Sequence, residues 1–217
     1  MNNSFLLNIS VFINDCGESQ PNEGSIPEVT SSCSRVEIPK LESIMVNFLD
    51  VVLELDSDIS RFEEFYASGL FLNTNYSANT EYNFFNTISK QLFLSGELFP
   101  ELVAHELSHA LLESFETFSY SYETGALMEG FCDILGVIVQ SIIRIDQPDT
   151  WWRKGCSYET IYNFSNITHY DNLEGGADMV LQDIHSTTAI VSKVFFLLSE
   201  GGVHPNKNQH YQTQVLV

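Results

Sequence analysis

Hydrophobic and polar positions alternate along this chain in segments of distinct period. Leu41, Ile44, Met45, Phe48, Leu49, Val52 and Leu55 recur at three- and four-residue steps, which predicts an amphipathic helix. Gly69 to Asn73 and Gln91 to Leu94 are short apolar runs beside turn residues and predict strands. Pro100 suits the first turn of a helix, with Glu101 complementing its dipole, and that helix is expected to run to about Glu116. A second long helix is expected from about Gly125 to Ile143 and a last one over about Ser186 to Ser199, stopping at Gly201-Gly202. Residues 14 to 40 are rich in Gly, Pro and Ser and predict loop or tail, and residues 146 to 184 predict a loop-dominated stretch. The tail from His204 is polar and expected to fray. There is no internal repeat.

Composition narrows the class without supplying chemistry. The 217 residues include 44% hydrophobic and 12% aromatic side chains, enough to bury a core. Nine Lys and Arg stand against 29 Asp and Glu, giving a formal net charge of −20. That balance argues against nucleic-acid binding and against docking on an anionic membrane, since both need Lys and Arg. The longest apolar stretch, Phe131 to Ile145, is interrupted by Asp133, Gln140, Ser141 and Arg144 and reads as a buried helix, not a membrane span. The N-terminus has no basic residue before its short apolar run and makes a poor signal peptide. Cys16, Cys33, Cys132 and Cys156 show no C-x-x-C spacing, which argues against a cysteine zinc site. Cys16 and Cys33 could be a disulfide in an oxidising compartment or two free thiols. N-x-S/T sequons begin at Asn2, Asn8, Asn75, Asn163 and Asn166 and matter only for a chain secreted by a eukaryote.

The chemistry lies in LVAHELSHALLE. His105 and His109 are four apart on a predicted helix, so both imidazoles leave the same face one turn apart, as two zinc ligands require. Glu106 lies about 100° round the axis and suits a base that touches a metal-held water without ligating. By itself the motif is also what a chance H-E-x-x-H on a solvated helix would look like. The next helix, ALMEGFCDILGVIVQSII, is apolar nearly all round and still carries Glu129 and Asp133, four apart. Unpaired buried carboxylates cost several kcal/mol. Glu129 as third ligand, with Asp133 accepting a proton from a ligating histidine, accounts for both. Three protein ligands leave the fourth tetrahedral position open, as in a catalytic zinc site.

These residues resemble the thermolysin-like zinc endopeptidases, the gluzincins. H-E-x-x-H, nineteen residues, Glu129, three residues and Asp133 is that family's spacing, and YETGALMEGFCDILG is similar to its helix bearing the third ligand. The resemblance implies an α+β zincin core with a small β/α lobe packed on a mainly helical lobe and a zinc cleft between them. It runs from about Leu41 to Gly202. The expected division is an irregular segment over 1–39, a catalytic domain over 40–203 with lobes 40–98 and 99–203, and a polar tail over 204–217. It implies hydrolysis of peptide or protein substrates with one zinc per chain, Glu106 as general base, and an extracellular location. Tyr120 and His185 fall where the family keeps donors to the tetrahedral oxyanion. Asn83 and the carbonyl of Phe84 fall where an edge strand binds the substrate backbone.

Several positions depart from the pattern. Phe84 replaces a small residue and would crowd the cleft, and Asn86 stands where tryptophan is usual. Val180 replaces the acid that orients the catalytic histidine, leaving Asp178 or Asp183 as substitutes. Arg153 is only a candidate for the substrate-contacting arginine. Glu101 could ligate calcium, but Gln140 replaces an expected acid, so the double calcium site is in question. Both ends are short for the family, so the chain reads as truncated. A truncated, catalytically impaired zinc-binding protein is therefore the competing expectation, and a structural-zinc module a third. The presence of Glu106, His185 and Tyr120 together favours the enzyme.

Overall fold

The computed structural model describes residues 9–16, 33–55, 60–75, 83–115 and 122–143, helical positions 188, 191–192, 194–195 and 197–199, and residues 202–203 and 210–211. Its centre is a five-stranded sheet with the order β2-β1-β3-β5-β4. The strands are β1 (Val11–Asp15), β2 (Ser34–Arg35), β3 (Leu70–Thr74), β4 (Phe84–Asn86) and β5 (Gln91–Leu94). β1, β3 and β5 run parallel, with Leu72 opposite both Ile13 and Leu92. The outer strands β2 and β4 are antiparallel to their neighbours. Helices α1 (Pro39–Leu55) and α2 (Ser60–Phe65) form the crossover from β1 to β3. This mixed α+β architecture agrees with the fold class expected from sequence.

Strand alternation sorts the sheet into two faces. Ile13, Leu70, Leu72, Leu92 and Leu94 join the core with the buried stripe of α1 (Leu41, Ile44, Met45, Phe48, Val51 and Val52) and with Val103, Ala104 and Leu107 of α3 (Pro100–Phe115). On the opposite face Phe12 stacks on Phe71 and Phe84 on Phe93, with ring centroids 4.8 and 5.0 Å apart. Between these pairs Asn14 donates to Asn73, and Asn73 donates to Gln91, each at 3.0 Å.

α3 begins where Pro100 needs no N–H partner and Phe99 O accepts from Leu102 and Val103. It packs along α4 (Tyr122–Ile143), which joins the core through Leu135 and Val139. The two helices approach closely at Gly136, where a Cβ would lie 2.5 Å from the carbonyl oxygen of Glu101. At Gly130 a Cβ would lie 2.6 Å from Cβ of Val191, so α4 also approaches the last helical residues closely. Thr124–Ile143 is long and apolar enough to cross a membrane, but 67% of its most apolar window is buried in the protein, as in a core helix.

Three expectations need correction. The composition of residues 1–39 predicts an irregular segment, yet β1 (Val11–Asp15) within it is an interior strand paired with both β2 and β3. A short strand satisfies its backbone through its neighbours, so the surrounding Gly, Pro and Ser did not reveal it. The helix α2 was not expected, because six residues with Phe62 as the sole buried position show no periodicity. The tail does not simply fray, since Gly202–Val203 pairs with His210–Tyr211. Cys16 and Cys33 form a disulfide that joins the end of β1 to the start of β2.

Candidate metal centre

α3 and α4 bring four of the sequence-predicted side chains together. His105 Nε2 lies 3.1 Å from Glu129 Oε2, His109 Nε2 lies 3.3 Å from Glu129 Oε1, and the two Nε2 atoms are 3.2 Å apart. On its other side His105 Nδ1 meets Asp133 Oδ1 at 2.9 Å. His105, Glu129 and Asp133 are all buried, whereas the His109 side chain keeps 14% of its surface exposed, so the cluster opens to solvent on the His109 side. The i, i+4 spacing on each helix produces this arrangement: 105 and 109 share one face of α3, 129 and 133 one face of α4.

The donor chemistry fits a cation. Asp133 accepts the Nδ1 proton, so a neutral His105 presents a bare lone pair at Nε2. That lone pair faces a carboxylate oxygen and a second imidazole nitrogen. Acceptors this close repel unless a proton or a metal ion lies among them. Bonds of 2.0–2.1 Å at a tetrahedral ion place its ligand atoms about 3.3 Å apart, close to the spacings here. His105, His109 and Glu129 are the three residues whose donor atoms all fall within 4.8 Å of one another, and they could hold a metal ion. Burial pushes the Glu129 carboxyl up, but the two imidazoles beside it outweigh burial and hold the group well below the usual carboxylate range.

Glu106 is buried on α3 and stands outside the three-donor set. Asn83 immediately precedes β4, and its Oδ1 accepts the backbone N–H of Ser95 at 2.8 Å, tying the start of the edge strand to the end of β5. Phe84, expected to crowd the cleft, places its ring on Phe93, on the sheet face away from α3, while Phe85 packs toward the core. Tyr120, His185, Arg153, Asp178 and Asp183 lie outside the described residues.

Two supporting residues were not singled out from sequence. Gly136 is one; a glycine about two turns beyond Glu129 and one beyond Asp133 in an otherwise apolar helix is a signal of close helix approach. Tyr66 is the other: its buried hydroxyl donates to Ala110 O at 3.1 Å and braces α3 one residue past His109. No periodic signal marks it.

No family model matches the chain. Curated relatives do. It is 33% identical over 119 residues to a bacillolysin of Brevibacillus brevis, covering 51% of this chain and 21% of that protein. It is 30% identical over 123 residues to neutral protease B of Bacillus subtilis, with coverage of 51% and 21%. It is also 30% identical over 123 residues to a thermolysin of Alicyclobacillus acidocaldarius, covering 48% and 21%. Over about half its length the chain is similar to thermolysin-like metalloproteases. It spans about a fifth of the length of the curated relatives it matches. A likeness in fold covers more: the precursor of protealysin, a metalloproteinase from Serratia proteamaculans, superposes with a TM-score of 0.61 at 17% identity, over 87% of this chain and 68% of that one. The α3–α4 donor cluster thus sits in a thermolysin-like fold.

Proposed function

We propose that this thermolysin-like chain is a zinc-dependent endopeptidase acting on peptide or protein substrates. The observation that carries the reading is the convergence of two imidazole nitrogens and one carboxylate at 3.1 to 3.3 Å, with the His105 tautomer fixed by Asp133. His105, His109 and Glu129 would hold one zinc per chain. When bound there, zinc supplies Lewis acidity toward a water and the scissile carbonyl. Glu106, one residue from a ligand and not itself in the donor set, takes a proton from the attacking water and passes it to the departing amine nitrogen. Asp133 keeps His105 Nε2 free of a proton throughout. His185 and Tyr120 donate to the oxyanion of the tetrahedral intermediate, a role carried over from the family pattern. Asn83 Nδ2 and the Phe84 carbonyl bind substrate backbone along the β4 edge.

Gln140 puts a neutral carboxamide where the family pattern has an acid, which weighs against a double calcium site. The Cys16–Cys33 disulfide supports an oxidising, extracellular compartment.

The decisive experiment pairs metal analysis with an assay on an unstructured protein. The chain should carry about one zinc and cleave the substrate in a chelator-sensitive way. Glu106→Gln should keep the zinc and lose turnover by several orders of magnitude. A stably folded chain without affinity for zinc, or an unimpaired Glu106→Gln, would refute the proposal.

A further inference from the structure

The ligand face of α3 continues past the metal cluster. His105, His109 and Glu113 recur every four residues, each step advancing about 40° beyond a full turn and about 6 Å along the axis. Glu113 also lies seven residues beyond Glu106, almost on the same line. It is half-buried near the end of a helix whose earlier turns are nearly all buried. It makes no ion pair or hydrogen bond among the described residues. Tyr66 and Lys90 interact with it electrostatically. The Tyr66 hydroxyl is bound to Ala110 O, and the Lys90 ammonium sits 3.5 Å over the Phe65 ring. Burial without a direct partner raises the Glu113 carboxyl, with Lys90 opposing the shift.

The surrounding charge has the same sign. Glu106, Glu129 and Asp133 against one divalent ion leave the centre net negative, in a chain of formal charge −20. Lys90 is the described cation that acts on Glu113, while Arg35 lies 4.8 Å from the Phe12 ring centre and Lys40 4.0 Å from Glu97. Such a field draws cationic segments and repels acidic ones. We propose that Glu113 is a specificity-determining residue that selects peptide substrates carrying a lysine or arginine in the segment lying over the α3 turn beyond His109. This rests on the endopeptidase reading above.

The test uses the zinc-loaded chain and peptides of one neutral core, with Lys, Gln or Glu placed in turn at each of three positions on either side of the scissile bond. The Lys peptide should exceed the Glu peptide in kcat/KM by about tenfold at low salt at one position, and less as salt rises. Glu113→Gln should cut that ratio at that position about fivefold, and Glu113→Lys should invert it. Ratios unchanged in both variants, whatever the wild-type preference, would overturn the proposal. Lack of turnover on the Gln peptide would instead count against the endopeptidase reading. Anisotropy of the same labelled peptides on the zinc-loaded chain and on Glu113→Gln then decides the inference alone: a Lys preference that vanishes in the variant supports it, and one that persists or never existed overturns it.

Discussion

His105 and Asp133 are joined by a 2.9 Å contact between Nδ1 and Oδ1, and it turns a buried acid into the group that decides which imidazole nitrogen is available. Asp133→Asn retains shape and an acceptor but removes the charge. Metal affinity should fall about 10- to 100-fold, measured by competition with a chromogenic chelator, while the far-UV spectrum stays unchanged.

Protons compete with metal at the same three atoms. Acid places protons on the nitrogens that a metal needs bare, so zinc should dissociate as pH falls. Glu129 behaves differently. Its folded-state pKa is depressed, so its stabilising contribution is present above the usual carboxylate range and is lost as pH falls through its folded value. Zinc release, followed with a fluorescent indicator, should therefore precede the acid unfolding seen by circular dichroism. Removing metal at neutral pH should lower the melting temperature, and adding zinc should restore it.

Gly136→Ala would force a methyl group to within 2.5 Å of the Glu101 carbonyl unless the helices separate. A loss of about 1–3 kcal/mol in denaturant unfolding is expected. Weaker zinc binding should accompany it, because α3 and α4 each supply ligands.

Tyr66 predicts an alkaline limb. Its buried phenol is held well above the ordinary value by burial and, secondarily, by Glu113. An unfolded tyrosine ionises near pH ~10 while the folded one stays protonated, so the unfolded state binds fewer protons and stability falls as pH rises past that point. Tyr66→Phe should cost about 1 kcal/mol at neutral pH from the lost bond to Ala110 O, and should flatten the decline above pH ~10.

His185→Ala should reduce kcat while the zinc content stays at wild-type level. Loss of zinc in this variant would move His185 from oxyanion donor to ligand.

Much of this architecture was legible because it is periodic or oddly charged. The stripe from Leu41 announced α1, and Pro100 marked the start of α3 at its observed first residue. Glu129 and Asp133 stood out as carboxylates in an apolar helix, and both are buried against the histidines. What stayed hidden depends on partners distant in sequence. β1 is a strand because β2 and β3 lie beside it, and five residues within a Gly- and Pro-rich context carry no sign of that. The bond that Asn83 Oδ1 accepts from Ser95 N–H joins β4 to β5 and carries no sequence signal, because its partner is twelve residues away. The Phe84 ring points away from α3 because a strand reverses its side chains at every step, and the sequence did not fix which face came first.

The interior position of β1 has a practical outcome. A shortened chain starting after Asp15 would strip one long flank of β3, exposing a row of amide and carbonyl groups alongside Leu70 and Leu72. Open flanks of that kind invite strand exchange between molecules. Such a version should clump during refolding even with His105, His109 and Glu129 intact, so the opening residues govern whether the protein can be handled at all.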